Sequence, residues 1–319
     1  IWSSLVGSEM CIRDRSRVML EILGGNCTDA QIGAFLVALS IKGETVDEAV
    51  GAANSMRQLS VKVPIESSNL VDTCGTGGTA IGVFNVSTTS SFVASDCGAK
   101  VAKHGNRTVT RKSGSADLLE QAGVNLALKP EEVAKCIGEI GLGFMFAPSH
   151  HSAMKHVVGP RKEIGQKSIF NVLGPLTNPA GAKKQVMGVY DKRWMLPIAE
   201  VLRELGSEHL LIIHSEDGLD EISIASKTYV TEMKENKISE YVICPEDFGF
   251  ETTSLDELIV NSPEESLEIA KSALKGEHKT AGAMVSMTAG AALYVSGISG
   301  NLEDGINLAK DCVAELSLL

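Results

Sequence analysis

Val71-Asp72-Thr73-Cys74-Gly75-Thr76-Gly77-Gly78-Thr79, followed after a short gap by Asn85-Val86-Ser87-Thr88, is the stretch on which the fold turns. A short apolar run enters a glycine cluster, and a polar N-terminus then opens an apolar helix that ends near Cys97. Glycine lets backbone N–H groups approach an anion closely, and a helix N-terminus adds partial positive charge at the same place. The spacing therefore predicts a phosphate-binding turn between a buried strand and a helix.

Working outward, apolar runs at 70–73, 99–102, 186–189 and 210–213 have the length of buried strands, with helical stretches between them. That alternation predicts a parallel sheet covered by helices. Upstream the period is helical. Thr28 with Gln31, and Thr45 with Glu48, are capping-box signatures; Ile32, Phe35, Leu36 and Leu39 follow the first, and Ala49, Ala52, Ala53 and Met56 the second. Residues 61–70, with Pro64, read as a linker, and 151–184 as a helix followed by a Pro/Gly-punctuated segment. The expected fold is α/β: a small all-helical domain (16–65, with 151–184 returning to it) plus a larger α/β domain (70–150 and 185–319) with a mostly parallel central sheet. Residues 1–15 match neither a signal peptide nor an amphipathic helix and read as a non-native tail like a translated sequencing adapter, leaving Trp2 and Cys11 without function.

Downstream lies Lys103-His104-Gly105-Asn106-Arg107, then Arg111, Lys112, Ser113, Gly114, Ser115 and Asp117. Four cations interleaved with hydroxyls and glycine, in a chain of net charge −11, predict a clamp for a polyphosphate. The same net charge disfavours a general nucleic-acid binder, which draws its affinity from Lys and Arg. At 319 residues and 44% apolar the chain can bury a sizeable core. Its seven cysteines form no C-x-x-C pair, which predicts reduced thiols in the cytoplasm. No apolar run reaches the roughly 18 residues of a membrane span.

D-T-C-G-T-G-G, F-N-V-S-T, K-H-G-N-R and S-G-S-A-D, in this order, resemble the anthranilate phosphoribosyltransferase family. So do residues 31–43, 151–180 (with N-V-L-G-P-L-T-N-P-A) and 217–223 (D-G-L-D-E-I-S). The resemblance implies a Mg2+-dependent enzyme that joins anthranilate to phosphoribosyl pyrophosphate (PRPP), releasing pyrophosphate, in tryptophan biosynthesis, and a homodimer made through the helical domains. It also implies contacts to PRPP from Gly75, Gly78, Thr79, Asn85, Val86, Ser87, Thr88, Lys103, His104, Gly105, Asn106, Arg107, Arg111 and Ser115. Ser87, Asp220 and Glu221 are the implied magnesium ligands, hard oxygen donors that suit this ion. Gly75, Asn106 and Arg161 are implied at the anthranilate, with His104, Asn106 and Arg161 beside the chemistry. An aromatic amine loses its proton readily once the C–N bond forms, so His104 is not an obligatory base.

Three positions depart from the family pattern: Thr79 stands where an acid is common, Val83 where threonine is common, and Arg111 where serine is common. The more positive pocket predicts tighter donor binding. His150, His151 and His156 fit no zinc spacing. Gly75-x-Gly77-x-x-Ala80 resembles a dinucleotide fingerprint, but a basic strand follows where that fold needs an acid. Two alternatives remain: a pyrimidine-nucleoside phosphorylase-like enzyme, and a non-catalytic relative that binds nucleic acid.

Overall fold

The structure is a computed structural model and describes residues 2–66, 69–108 and 112–316. Three helices come first: α1 (Trp2–Leu23), α2 (Asp29–Lys42) and α3 (Val46–Leu59). Both capping boxes form, Thr28 and Thr45 accepting from the backbone N–H of Gln31 and Glu48 while those side chains reach back. Each satisfies two of the orphan donors that every helix start leaves open.

Helix α1 runs through the residues expected to lie outside the fold. The small-residue face of α3 admits it: Ser16 Oγ donates to Gly51 O and Ser55 Oγ to Ser16 O, each at 2.9 Å. Arg15 pairs with Glu48 and lies over the Phe35 ring. Trp2 and Cys11 lie outside the residues whose side chains are described.

The second unit is a sheet of seven strands in the order β3-β2-β1-β4-β5-β6-β7. In chain order it adds β1 (Leu70–Asp72), α4 (Val86–Asp96), β2 (Lys100–Gly105), α5 (Ser115–Gln121), α6 (Pro130–Ile140), β3 (Leu142–Phe146), α7 (Ala147–His150), α8 (Lys155–Ile164) and α9 (Phe170–Leu173). There follow β4 (Lys184–Gly188), α10 (Met195–Glu204), β5 (His209–Ser215), β6 (Thr228–Lys234), β7 (Lys237–Ile243), α11 (Pro263–Leu274), α12 (Lys279–Ser296) and α13 (Leu302–Leu316). Strands β1 to β5 pair in parallel, and β6 and β7 add an antiparallel edge.

The mostly parallel sheet was legible in the sequence; β3, β6 and β7 were not. Strand β6 alternates buried and half-buried residues, and β7 is largely exposed. Neither has the continuous apolar run that marks a strand buried on both faces.

The strands send alternate residues to two cores. Val186, Leu211 and Ile213 pack with α4, α12 and α13. Met187, Leu210 and Ile212 pack with α10 and with the apolar residues of α1, α2, α3 and α9. The helical module and one sheet face therefore share a core, and Val157 of α8 lies in it. No helix among the described residues is long and apolar enough to cross a membrane.

One expectation is corrected here. The cysteine spacing predicts unpaired thiols, yet Cys97 and Cys312 form a disulfide, their Cα atoms 6.7 Å apart and 215 residues apart in sequence. Cys97 ends α4 and Cys312 lies on α13, so only helix packing brings them together.

Candidate active site

The parallel strands end at one rim, and a cleft of about 640 Å³ opens there. Its first wall is the glycine loop after β1. Thr76 N–H donates to Gly188 O at 2.8 Å, tying the loop to the end of β4. Gly77 and Gly78 have φ of 62° and 81°, a region L-residues with side chains rarely enter. At Gly188 a Cβ would lie 1.7 Å from Asp220 O, so only glycine lets the Asp220 backbone sit against this strand end.

That approach sets the acidic pair. Thr79 Oγ1 donates to Asp220 Oδ1 at 3.4 Å, and Ser87 N–H, in the first turn of α4, donates to Glu221 Oε1 at 3.3 Å. Asp220 and Glu221 are both buried and line the cleft. Among the described residues no group of three or more His, Cys, Asp or Glu side chains gathers as a cage. Two carboxylates and a serine lining one cleft are oxygen donors that fit magnesium, which keeps coordination positions for phosphate oxygens and water.

Lys103 and His104 rise from β2 beneath this wall. Lys103 is buried, and its Nζ donates to Thr73 O at 3.1 Å and Thr73 Oγ1 at 3.0 Å. Burial lowers its pKa, opposed by the negative fields of Asp72 and Glu221. Asp72 lies behind, wholly buried, accepting from His104 N–H at 3.1 Å and Asn178 Nδ2 at 2.7 Å. Burial pushes its carboxyl up to about 6, against the opposing Asn178 bond and Lys103 charge. Neither Asp72 nor Asn178 was assigned a role from sequence, because their meeting spans 106 residues.

His104 and His151 stand with ring centroids 5.1 Å apart. Burial, with smaller contributions from neighbouring histidines and lysine, pushes His104 down to about 3. Burial and His150 push His151 down to about 4. Both imidazoles are neutral at neutral pH and, at these values, weak proton acceptors.

The cleft gathers Gly75, Gly78, Asn85, Ser87, Lys103, His104, Gly105, Asn106, Arg107, Ser115, Arg161, Asp220 and Glu221 from the sequence-derived set. Three others are placed differently. Thr79 stands behind the wall, on Asp220. Thr88 is buried and donates to Ser115 Oγ at 2.9 Å, supporting the site from below. Val86 reaches it with neither group: its side chain is in the core and its N–H donates to Phe84 O at 2.8 Å.

Asn85 lines the cleft, but its Oδ1 accepts from Ser113 at 2.6 Å and Ser266 at 2.8 Å. That bonding ties α4 to the serine loop and to α11. Val83, one of the three departures, is simply core.

The four-cation clamp is corrected in part. Lys103 faces the cleft from beneath, but Arg107 is engaged by Glu120, at 2.7 and 2.8 Å, and by Asp117. These carboxylates hold its pKa above the usual arginine value. Lys112 is exposed and off the cleft wall. Arg111 lies outside the described residues. The local count of charges could not reveal that acids 10 and 13 residues further on engage Arg107.

The second wall comes from the returning segment. Ala147, Pro148, His151, Met154, Lys155, Arg161, Phe170, Gly174 and Pro175 make it an apolar slot with a cationic end. Arg161, half-buried on α8, stands 5.4 Å over the Phe170 ring and has no carboxylate partner among the described residues. Burial lowers its pKa from the usual arginine value. A glycine loop and an apolar slot with a cation thus meet around His104 and Asn106.

Both units match family models: residues 15–60 match the helical bundle domain, and 67–315 the a/b domain, of the glycosyl transferase family. Fold and cleft together define a glycosyl transferase of this two-domain class. The chain is 54% identical to the anthranilate phosphoribosyltransferase of Ectopseudomonas mendocina over 96% of its own length and 89% of that protein. It is 56% identical to that of a Marinomonas species, over 97% and 88%. The crystal structure of anthranilate phosphoribosyltransferase from Thermus thermophilus superposes with a TM-score of 0.91 at 38% identity, covering 96% of this chain and 92% of the other. The Saccharomyces cerevisiae enzyme in complex with PRPP and Mg superposes at 0.85 and 28%, covering 96% and 89%. The chain belongs to the anthranilate phosphoribosyltransferase family. Neither the phosphorylase-like nor the nucleic-acid-binding alternative is favoured by these matches.

Proposed function

We propose that the cleft transfers the 5-phosphoribosyl group of PRPP to the amine of anthranilate, giving N-(5-phosphoribosyl)anthranilate and pyrophosphate in tryptophan biosynthesis. The observation that carries this reading is the meeting, in one cleft, of Lys103, Ser87, Asp220 and Glu221 with Arg161 across from them.

Breaking the C1–O bond leaves an oxocarbenium-like sugar and a polyanionic leaving group. Catalysis then rests on positioning and on charge neutralisation more than on a strong base. The N–H groups of the glycine loop receive the diphosphate, and Lys103 supplies positive charge from beneath. Ser87, Asp220 and Glu221 would hold Mg2+. When bound, the ion offsets the charge that builds on the departing pyrophosphate. Arg161 pairs with the anthranilate carboxylate and turns the amine toward C1. Asn106 and neutral His104 line the place where amine and sugar meet, and the amine proton leaves to water or phosphate after bond formation.

The helical domain is read as the seat of a homodimer. Supporting this, Val18 on α1 and Val37 and Ile41 on α2 are exposed. We take residues 16–65 with 151–184 as the helical domain and 70–150 with 185–319 as the α/β domain, and propose a cytoplasmic enzyme without nucleic-acid or membrane partners.

The test is the loss of anthranilate fluorescence on adding PRPP and magnesium, repeated with EDTA. A loss that requires magnesium and stops when EDTA is added is expected; an unchanged signal with folded protein removes the reading.

A further inference from the structure

Lys167 takes no part in the steps above, yet its side chain joins the two walls. It follows Gly165, the left-handed residue (φ 64°) that ends α8, and precedes α9. It therefore lies on the segment that leads from Arg161 back toward the sheet. Its Nζ donates to the Gly78 carbonyl at 3.2 Å and stands 3.6 Å from the centroid of the Tyr190 ring. Tyr190 is itself fixed: its N–H donates to Thr76 Oγ1 and its hydroxyl accepts from Trp194 Nε1, both at 3.0 Å.

The glycine loop is thus pinned at Thr76 by the end of β4 and at Gly78 by Lys167. Between the two pins lies Gly77, and the second pin is itself a glycine; residues without side chains have neighbouring backbone wells close in energy. In a trans peptide the C=O of Gly78 and the N–H of Thr79 point opposite ways. Holding that carbonyl therefore sets the direction of the next N–H. A cation lying on an aromatic face is held there by the ring quadrupole, so Tyr190 keeps the ammonium in reach of the carbonyl.

We infer that Lys167 is a positioning residue for the donor site, holding the Gly78 carbonyl against the Tyr190 face and so setting the peptide planes that receive the diphosphate. The inference rests on the reading that this loop binds PRPP. Lys167 acts through the loop, so its removal weakens donor binding and spares the acceptor.

The experiment compares steady-state kinetics and melting temperature of wild type, Lys167→Met, Lys167→Arg and Tyr190→Leu. For Lys167→Met the donor KM rises about tenfold, from a charge-assisted hydrogen bond and a cation–ring contact, while kcat and the anthranilate KM stay within about threefold. Lys167→Arg recovers most of the donor KM, because guanidinium can both stack and donate. Tyr190→Leu raises the donor KM and adds little in a Lys167→Met background, as expected for two groups in one contact. An unchanged donor KM in Lys167→Met overturns the inference. So does a parallel drift of every kinetic constant with a lowered melting temperature that Arg does not rescue. Wild type without PRPP turnover would bring down the functional reading first and this inference with it. Wild-type turnover beside an unaltered Lys167→Met removes Lys167 alone.

Discussion

Across residues 73–87 the cleft wall is mostly main chain: glycines at positive φ, a strand end and a helix start, with few side chains pointing in. Across residues 147–178 the opposite wall is almost all side chain, and its members come from α7, α8, α9 and the turn that follows. The difference follows from what each wall is proposed to receive. A diphosphate is recognised by N–H groups that a short loop supplies from consecutive residues. A flat aromatic acid needs an apolar slot and one cation at a set distance, which no short peptide can supply alone.

This contrast can be broken by mutation, and the largest effect is expected on the donor side. Glu221→Ala or Asp220→Ala lowers turnover by about 100-fold or more at fixed magnesium, and added magnesium recovers part of it. A magnesium titration of each variant checks this. EDTA brings wild type to the same floor, reversibly.

Next comes the acceptor side. Arg161→Ala raises the anthranilate KM by about 10- to 100-fold, the cost of one charge-assisted bond, and leaves the donor KM within about threefold. If both constants move together, the two walls are not separable as described.

A pH prediction sharpens the same contrast, because the acceptor side holds the buried imidazoles. Folded pKa values of about 3 for His104 and about 4 for His151 lie below the ordinary 6.5. Below 6.5 the unfolded chain therefore binds more protons, and stability falls as pH drops from 6.5 toward about 4. Asp72 has the opposite sign. Its folded value of about 6 exceeds 3.8, so it adds stability on acidification between those values and offsets one histidine. The net expectation is a lower denaturation midpoint at pH 5 than at pH 7, with a smaller difference in His151→Asn. Activity, by contrast, shows no acid limb near pH 6.5 that disappears in His104→Asn.

The smallest effect is expected at Thr79. Its 3.4 Å bond to Asp220 is long, and Thr79→Val changes the magnesium requirement by no more than about threefold. A tenfold change would make Thr79 a far stronger part of the ion site than its geometry suggests.

The two walls also differed in how readable they were. Gly75, Gly78, Ser87, Lys103 and Asn106 are neighbours in sequence and in space, so composition and spacing alone pointed to phosphate. Asp72 with Asn178, His151 beside His104 and Lys167 on Gly78 were invisible, since each contact joins segments remote in sequence, 106 residues apart in the first case and 89 in the last. Arg107 lines the cleft as expected, but its pairing with Glu120, a partner one helix away, was not readable from local charge.

Local order of residues was enough for the glycine turn, the capped helices, the buried parallel strands and the anionic character of the ligand, because each depends on backbone conformation and periodicity within a few residues. Which cations face the cleft, which thiols meet, how Asp220 comes to rest on Gly188 and where the acceptor slot lies required the packed chain. Those features depend on distances between segments far apart along the chain, and burial, which sets the state of His104, His151 and Asp72, exists only once the two modules share a core.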